Sequence, residues 1–104
     1  MIVSIVRFRS ALSAEDVQAK FEERAANYEQ IPGLVEKIYL GFGETGEFGA
    51  VYVWESEDAL ARFRESELAR SIPDVYRVEG EAHIELADVS LVVRPPARSA
   101  ATTG

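Results

Sequence analysis

The residues with proton chemistry to offer are few. His83 is the single histidine, and it alternates with acids in Glu81-Ala82-His83-Ile84-Glu85. Imidazole is the side chain best suited to moving protons near neutral pH, so His83 is the candidate general base; the plainer reading is a rim residue on a polar strand face. A second group, Lys37, Tyr39, Tyr52 and Trp54, with Phe8 beside it, has the character of a binding surface for a flat molecule. Tyrosine and tryptophan can hydrogen-bond a phenolic or quinone oxygen while their rings stack on its plane. The Lys37 ammonium can stabilise a phenolate or enolate. The alternative for the aromatics is core filling, and for Lys37 a snorkelling stem or a glutamate partner.

Other chemistries are absent. Cysteine does not occur, which removes disulfides, thiolate metal sites and a thiol nucleophile. One histidine makes no convergent zinc or iron ligand set, and no metal is expected. There is no G-x-S-x-G elbow, Walker loop or G-x-G-x-x-G fingerprint. The net charge of −7 offers no basic face for phosphates, so neither nucleic acid nor an anionic membrane is an expected partner. No apolar run approaches a membrane span, and the opening MIVSIVRFRS is a strand pattern rather than a signal peptide. A cytoplasmic location is the default.

The elements that must position these groups centre on Ile31 to Glu55. Leu34–Phe42 and Phe48–Glu55 read as two strands joined by Gly43-Glu44-Thr45-Gly46-Glu47. Alternation puts Leu34, Glu36, Ile38 and Leu40 on one face and Val35, Lys37 and Tyr39 on the other. In the second arm Val51 and Val53 oppose Phe48, Tyr52 and Trp54. Ile2–Arg9 is a first strand, apolar on both faces. Ser13 caps a helix with Val17, Phe21, Ala25 and Tyr28 in one stripe, stopped before Pro32. Ser56 caps a second helix with Ala59, Leu60 and Phe63 buried; a break at Ser66 and a short extra turn carrying Leu68 and Ile72, closed by Pro73, follow. The last strand is expected from about Arg77 to Val93, with a bulge at Ala87-Asp88. One domain over 1–94 and a loose tail over 95–104 complete the division, and there is no internal repeat.

The order β-α-β-β-α-β predicts an α+β, ferredoxin-like antiparallel sheet with both helices on one face. The uncovered face is then expected to carry Phe8 or Ile5 with Tyr39, Tyr52 and Trp54. An apolar patch of that size is best covered by a second copy, sheet against sheet, in a barrel-like homodimer.

Four stretches, MIVSIVRF, IPGLVEKIYL, GAVYVWES and VYRVEGEAHIEL, resemble the YdhR-like monooxygenases of the dimeric α+β-barrel superfamily, which also holds the antibiotic-biosynthesis monooxygenases. The similarity spans about residues 1 to 94. It implies a ferredoxin-like protomer, a homodimer, and no bound metal or flavin. The chain departs from the family pattern at His83, Ile84 and Glu85, where aromatic residues and threonine are common. Haem degradation, known elsewhere in the superfamily, would call for a histidine on a helix, and neither helix has one.

The function expected on this basis is cofactor-independent monooxygenation of a planar phenol, hydroquinone or polyketide-like aromatic, with His83 as base and Phe8, Lys37, Tyr39, Tyr52 and Trp54 around the substrate. A binding or structural homodimer without catalysis, and a polyketide cyclase or isomerase using acid/base groups, are the alternatives; fold alone does not choose among them.

Overall fold

The computed structural model describes residues 1–96. Strands β1 (Ile2–Ser10), β2 (Leu34–Phe42), β3 (Glu47–Trp54) and β4 (Val78–Asp88) form one antiparallel sheet in the order β2-β3-β1-β4. Helix α1 (Ala14–Tyr28) joins β1 to β2. A broken helical stretch, α2 (Glu57–Arg64), α3 (Glu67–Arg70) and α4 (Ile72–Val75), joins β3 to β4. This is the ferredoxin-like βαββαβ arrangement, with the second crossover in three pieces. Pro95 and Pro96 have no regular structure, and the expected tail over 97–104 lies outside the described residues.

Local chemistry sets the helix starts. Ser13, Ser56 and Ser66 accept from the amides of Asp16, Ala59 and Ala69, satisfying donors that a first helical turn leaves free. Ser66 therefore starts a fresh helix, as its position in the sequence predicts. Pro73 does not close that segment; it lies in the first turn of α4, where a missing amide hydrogen costs nothing. Gly33, at φ 80°, turns the chain from α1 into β2, and a Cβ there would collide with Ala59.

Sheet register decides which side chains meet. Ile2, Ser4, Val6 and Phe8 of β1 stand opposite Trp54, Tyr52, Ala50 and Phe48 of β3, and Tyr52 and Ala50 stand opposite Lys37 and Tyr39 of β2. This face is the one beneath the helices. Ile2, Tyr52 and Trp54 pack with Tyr28, Leu60 and Phe63, and Phe8 packs with Val17, Phe21 and Tyr76. The aromatic set thus lies under the helices rather than on the uncovered face. Both faces of β1 and β3 are apolar, so alternation separates the two sets without showing which one the helices choose. The uncovered face carries Val3, Ile5, Ile38, Leu40, Val51 and Val53. A register shift between Leu34 and Glu36 also moves Leu34 off that face, to stand beside Trp54 and pack against the core.

β4 ends at Asp88, short of the expected Val93. Asp88 is the last β4 residue in the β1 register, opposite Ile2, and the Val89 amide donates to the Met1 carbonyl at 3.0 Å. Leu91 and Val93 are left 81% and 77% exposed. The irregularity expected at Ala87-Asp88 falls at the other end of the strand, where the β1–β4 register shifts between Arg7 and Arg9 and Gly80 has a positive φ of 70°.

Arg77 enters β4 at φ 45°, a left-handed conformation uncommon for a residue with a side chain. The Ala11 amide donates to its carbonyl at 2.9 Å, and the Ser10 hydroxyl donates to the carbonyl of Tyr76, so the neighbouring strand end holds the turn. Arg77→Gly is expected to stabilise the protein by roughly 0.5–1 kcal/mol, read as an upward shift of the urea midpoint, since glycine meets no penalty at that φ.

Candidate active site: an aromatic cavity around Lys37

Between the sheet and the helices lies a cavity of about 300 Å³. Val6, Phe8, Ala50, Tyr52, Lys37 and Tyr39 form the sheet side; Phe21 and Tyr28 of α1, Leu60 and Phe63 of α2, and Ile72 and Tyr76 beyond the helix breaks form the roof. Ala82 and Ile84 of β4 complete one flank. The size is at the lower end for a small-molecule site, enough for a ligand of about two or three fused rings.

Arg24 ties the roof together. Its Nη2 donates to the Leu68 carbonyl at 3.2 Å and to the Ser71 hydroxyl at 3.0 Å, anchoring the broken helix to α1. Its guanidinium also lies 5.7 Å from the centre of the Tyr76 ring. The helix breaks have a consequence for the site, because they carry Ile72 and Tyr76 inward where a continuous helix would have carried past.

Lys37 is the chemical centre. Its Nζ lies 3.3 Å from the centroid of the Tyr28 ring, 4.3 Å from that of Tyr39 and 4.6 Å from that of Tyr52. No carboxylate lies within ion-pair distance of it: the ion pairs among the described residues are Arg7–Glu47, Lys20–Glu23 and His83–Glu85. Ring faces return only part of the hydration an ammonium loses. Burial, and secondarily the positive charge of Arg24, lower the Lys37 pKa to about 7. Near neutral pH the cavity therefore holds an amine able to accept a proton.

The tyrosines are the complementary donors. The hydroxyls of Tyr28, Tyr39 and Tyr76 are buried with no hydrogen-bond partner among the described residues, a condition folded proteins seldom tolerate without a use for it. Burial raises the Tyr39 and Tyr52 pKa values far above the usual phenol range, and that of Tyr76 to about 12. All three stay protonated at neutral pH, ready to donate to a ligand oxygen. Tyr28, Lys37 and Tyr39 also border a second cleft of about 250 Å³, whose lining includes Glu29 and Glu36. Lys37 thus stands between an apolar chamber and a polar one.

Four of the expected site residues, Phe8, Lys37, Tyr39 and Tyr52, line the cavity. Trp54 does not. It is wholly buried, stacked on Tyr52 with centroids 5.8 Å apart, and its indole donates to the Ser4 hydroxyl at 3.2 Å. It supports the floor from behind. His83 does not share the cavity either. It stands opposite Arg7 on the uncovered face, its side chain 66% exposed and its Nε2 2.9 Å from a Glu85 carboxylate oxygen. The alternation of Ala82, Ile84 and Leu86 against Glu81, His83 and Glu85 is as expected, and it is Ile84 that turns toward the cavity. His83→Ala is expected to leave affinity for a cavity ligand within about twofold of the parent, measured by ligand quenching of Trp54 fluorescence through its stacked neighbour Tyr52.

Sequence reasoning missed Tyr28, Tyr76 and Arg24. Tyr28 shows only as a member of the α1 stripe, and Tyr76 follows a helix break that no period describes.

The sheet, its helices and this cavity define a ferredoxin-like α+β domain with an aromatic chamber between its two layers. The structure of SnoaB, a cofactor-independent oxygenase from Streptomyces nogalater, superimposes with a TM-score of 0.72 at 17% identity over 90% of this chain and 97% of that one. An antibiotic biosynthesis monooxygenase matches at 0.70 and 14% over 88% and 100%. A variant of MhuD with two manganese protoporphyrin IX bound per active site matches at 0.72 and 21% over 91% and 100%. At these identities the likeness is one of fold. A family model described as "Putative mono-oxygenase ydhR" matches residues 3–80, most of the chain, which belongs to that family. No curated protein matches. Among the described residues no helix is long and apolar enough to cross a membrane.

Proposed function

We propose that this protein is a cofactor-independent monooxygenase of a planar phenolic or hydroquinone-type aromatic, with Lys37 in the role expected of His83, and that it works as a homodimer. The observation that carries the reading is the unpaired Lys37 amine under three tyrosine rings at the wall of an apolar cavity. A flat phenol fits the aromatic walls, and its hydroxyl finds the amine. Proton transfer to Lys37 leaves a phenolate–ammonium pair in a site with little competing water, where the ion pair is strongest.

The resulting anion is electron-rich enough to reduce O₂ directly. One electron passes to O₂, the radicals combine at a ring carbon as a peroxide, and loss of water leaves a carbonyl there. The ring C–H and the phenol O–H thus supply the two hydrogens of H₂O, the other oxygen atom of O₂ becomes the C=O, and all four electrons come from the substrate. Tyrosine hydroxyls donate to the oxygens as charge develops, and the apolar lining keeps bulk water from the intermediates.

The dimer rests on the uncovered sheet face. Val3, Ile5, Ile38, Leu40, Val51 and Val53 make a contiguous apolar surface, and Ile38 is 46% exposed. Leu91 and Val93, after β4, are further exposed apolar side chains.

Oxygen uptake tests the reaction. With a panel of hydroquinones and anthrone-type phenols, the parent is expected to consume one O₂ per substrate, with kcat/KM rising with pH through about 7 as Lys37 loses its proton. Binding without uptake would favour the binding-module alternative. Rearrangement of the ligand without uptake would favour a cyclase or isomerase.

A further inference from the structure

We propose that Lys37 is also a carbonyl-capture site, its ε-amine condensing with the aldehyde of a planar apolar ligand seated in the cavity and holding it as an imine. The step uses no oxygen, so it stands or falls separately from the oxygenase reading.

Three placements support it. The chain has two lysines. Lys20 lies outside on α1, 3.7 Å from Glu23, whereas Lys37 lines the cavity and meets ring faces where an ion pair would otherwise hold its lone pair protonated. Beside it, the buried hydroxyls of Tyr28 and Tyr39 have no hydrogen-bond partner among the described residues, so a carbonyl oxygen brought to the amine meets proton donors already in place. Finally, the same three side chains border the second cleft, which gives released water a way out that does not cross the apolar chamber.

The balance is simple. The amine lone pair forms a C–N bond as the carbonyl π pair moves to oxygen, which takes a proton from a tyrosine hydroxyl. The carbinolamine nitrogen gives up a proton that restores the tyrosine. With one more proton from solvent the oxygen leaves as water, and the product is a protonated imine. Nothing is oxidised or reduced. The iminium charge then lies over the rings of Tyr28, Tyr39 and Tyr52, which stabilise a cation more readily than a neutral amine.

The test is reductive trapping on the full chain, with 2-naphthaldehyde and sodium cyanoborohydride at pH 7.5, followed by peptide mapping. Lys20 is the internal reference, so no variant has to fold, and the α-amine of Met1 reports on its own peptide. An amine titrating near 7 exposes a far larger neutral fraction at this pH than an ordinary lysine at 10.5. Lys37 is expected to be trapped on the order of 10²-fold faster than Lys20, with the excess shrinking as pH rises above 7 toward the ordinary lysine range. Equal or slower trapping at Lys37, or trapping there only after denaturation, would overturn the proposal. A hydrophilic aldehyde, glyoxylate, is expected to lose most of the preference for Lys37; an undiminished preference would overturn the claim that the apolar cavity seats the ligand.

Discussion

Lys37→Met is expected to lower hydroquinone turnover by about two orders of magnitude or more, the usual share of a positioned base, while making the protein more stable. The two effects have one cause. The cavity walls remove water from an ammonium and supply no carboxylate, which makes the amine a base near pH 7 and also makes its protonated form costly to bury. The sign follows from proton counts. Lys37 titrates near 7 when folded and at the ordinary lysine value of 10.5 when unfolded. Below about pH 7 both states carry the proton and the folded one bears the full penalty. Between 7 and 10.5 the unfolded state binds more protons, so stability rises with pH. Above that window neither state is charged and the penalty is gone. Methionine keeps the length and removes the charge, so at pH 6 its melting temperature is expected to exceed the parent's by about 10 °C, with the two curves converging toward pH 10. A parallel offset at all pH values would mean that shape rather than charge is at issue.

The second large effect concerns assembly. Ile5 and Val51 stand opposite one another, with Ile38 opposite Val51 on the other side, at the middle of the uncovered face. A carboxylate at Ile5 would be solvated in a lone protomer but buried and unpaired between two sheets, a cost of several kcal/mol counted once from each copy. Ile5→Glu is therefore expected to convert a dimer of twice 11.5 kDa into a monomer by light scattering at micromolar concentration, with the circular dichroism spectrum retained. A parent that already runs at 11.5 kDa would remove the dimer from the account.

Local features of this chain were open to reading from sequence. The serine caps, the Leu34–Phe42 hairpin arm and the helix break at Ser66 depend on a few neighbouring residues, and each lies where expected. The alternation that groups Tyr39 with Lys37, and Tyr52 with Trp54, also holds. What escaped is what depends on distant pairing. β4 ends with its pairing to Ile2 of β1, a partner that no pattern within β4 contains. The choice of covered face turns on which of two apolar sets the helices meet, and that choice sends His83 to the opposite side from Lys37. Strand position identifies Lys37 as a neighbour of tyrosines, but its lack of a carboxylate partner appears only when α1 is laid across the sheet. His83 stands out in the sequence as the single histidine, yet it is the one with a glutamate partner, while Lys37, with no ion pair among the described residues, faces the cavity.

The central claim is that a bound phenol gives its proton to Lys37. Absorbance under anaerobic conditions reads this directly, because a naphthol and its anion absorb at different wavelengths and oxygen chemistry is switched off. At pH 7.5 the parent is expected to develop the phenolate band of 1,4-dihydroxynaphthalene in proportion to ligand bound, while Lys37→Met binds it without that band. A ligand that binds the parent and keeps the spectrum of the neutral phenol would contradict the account.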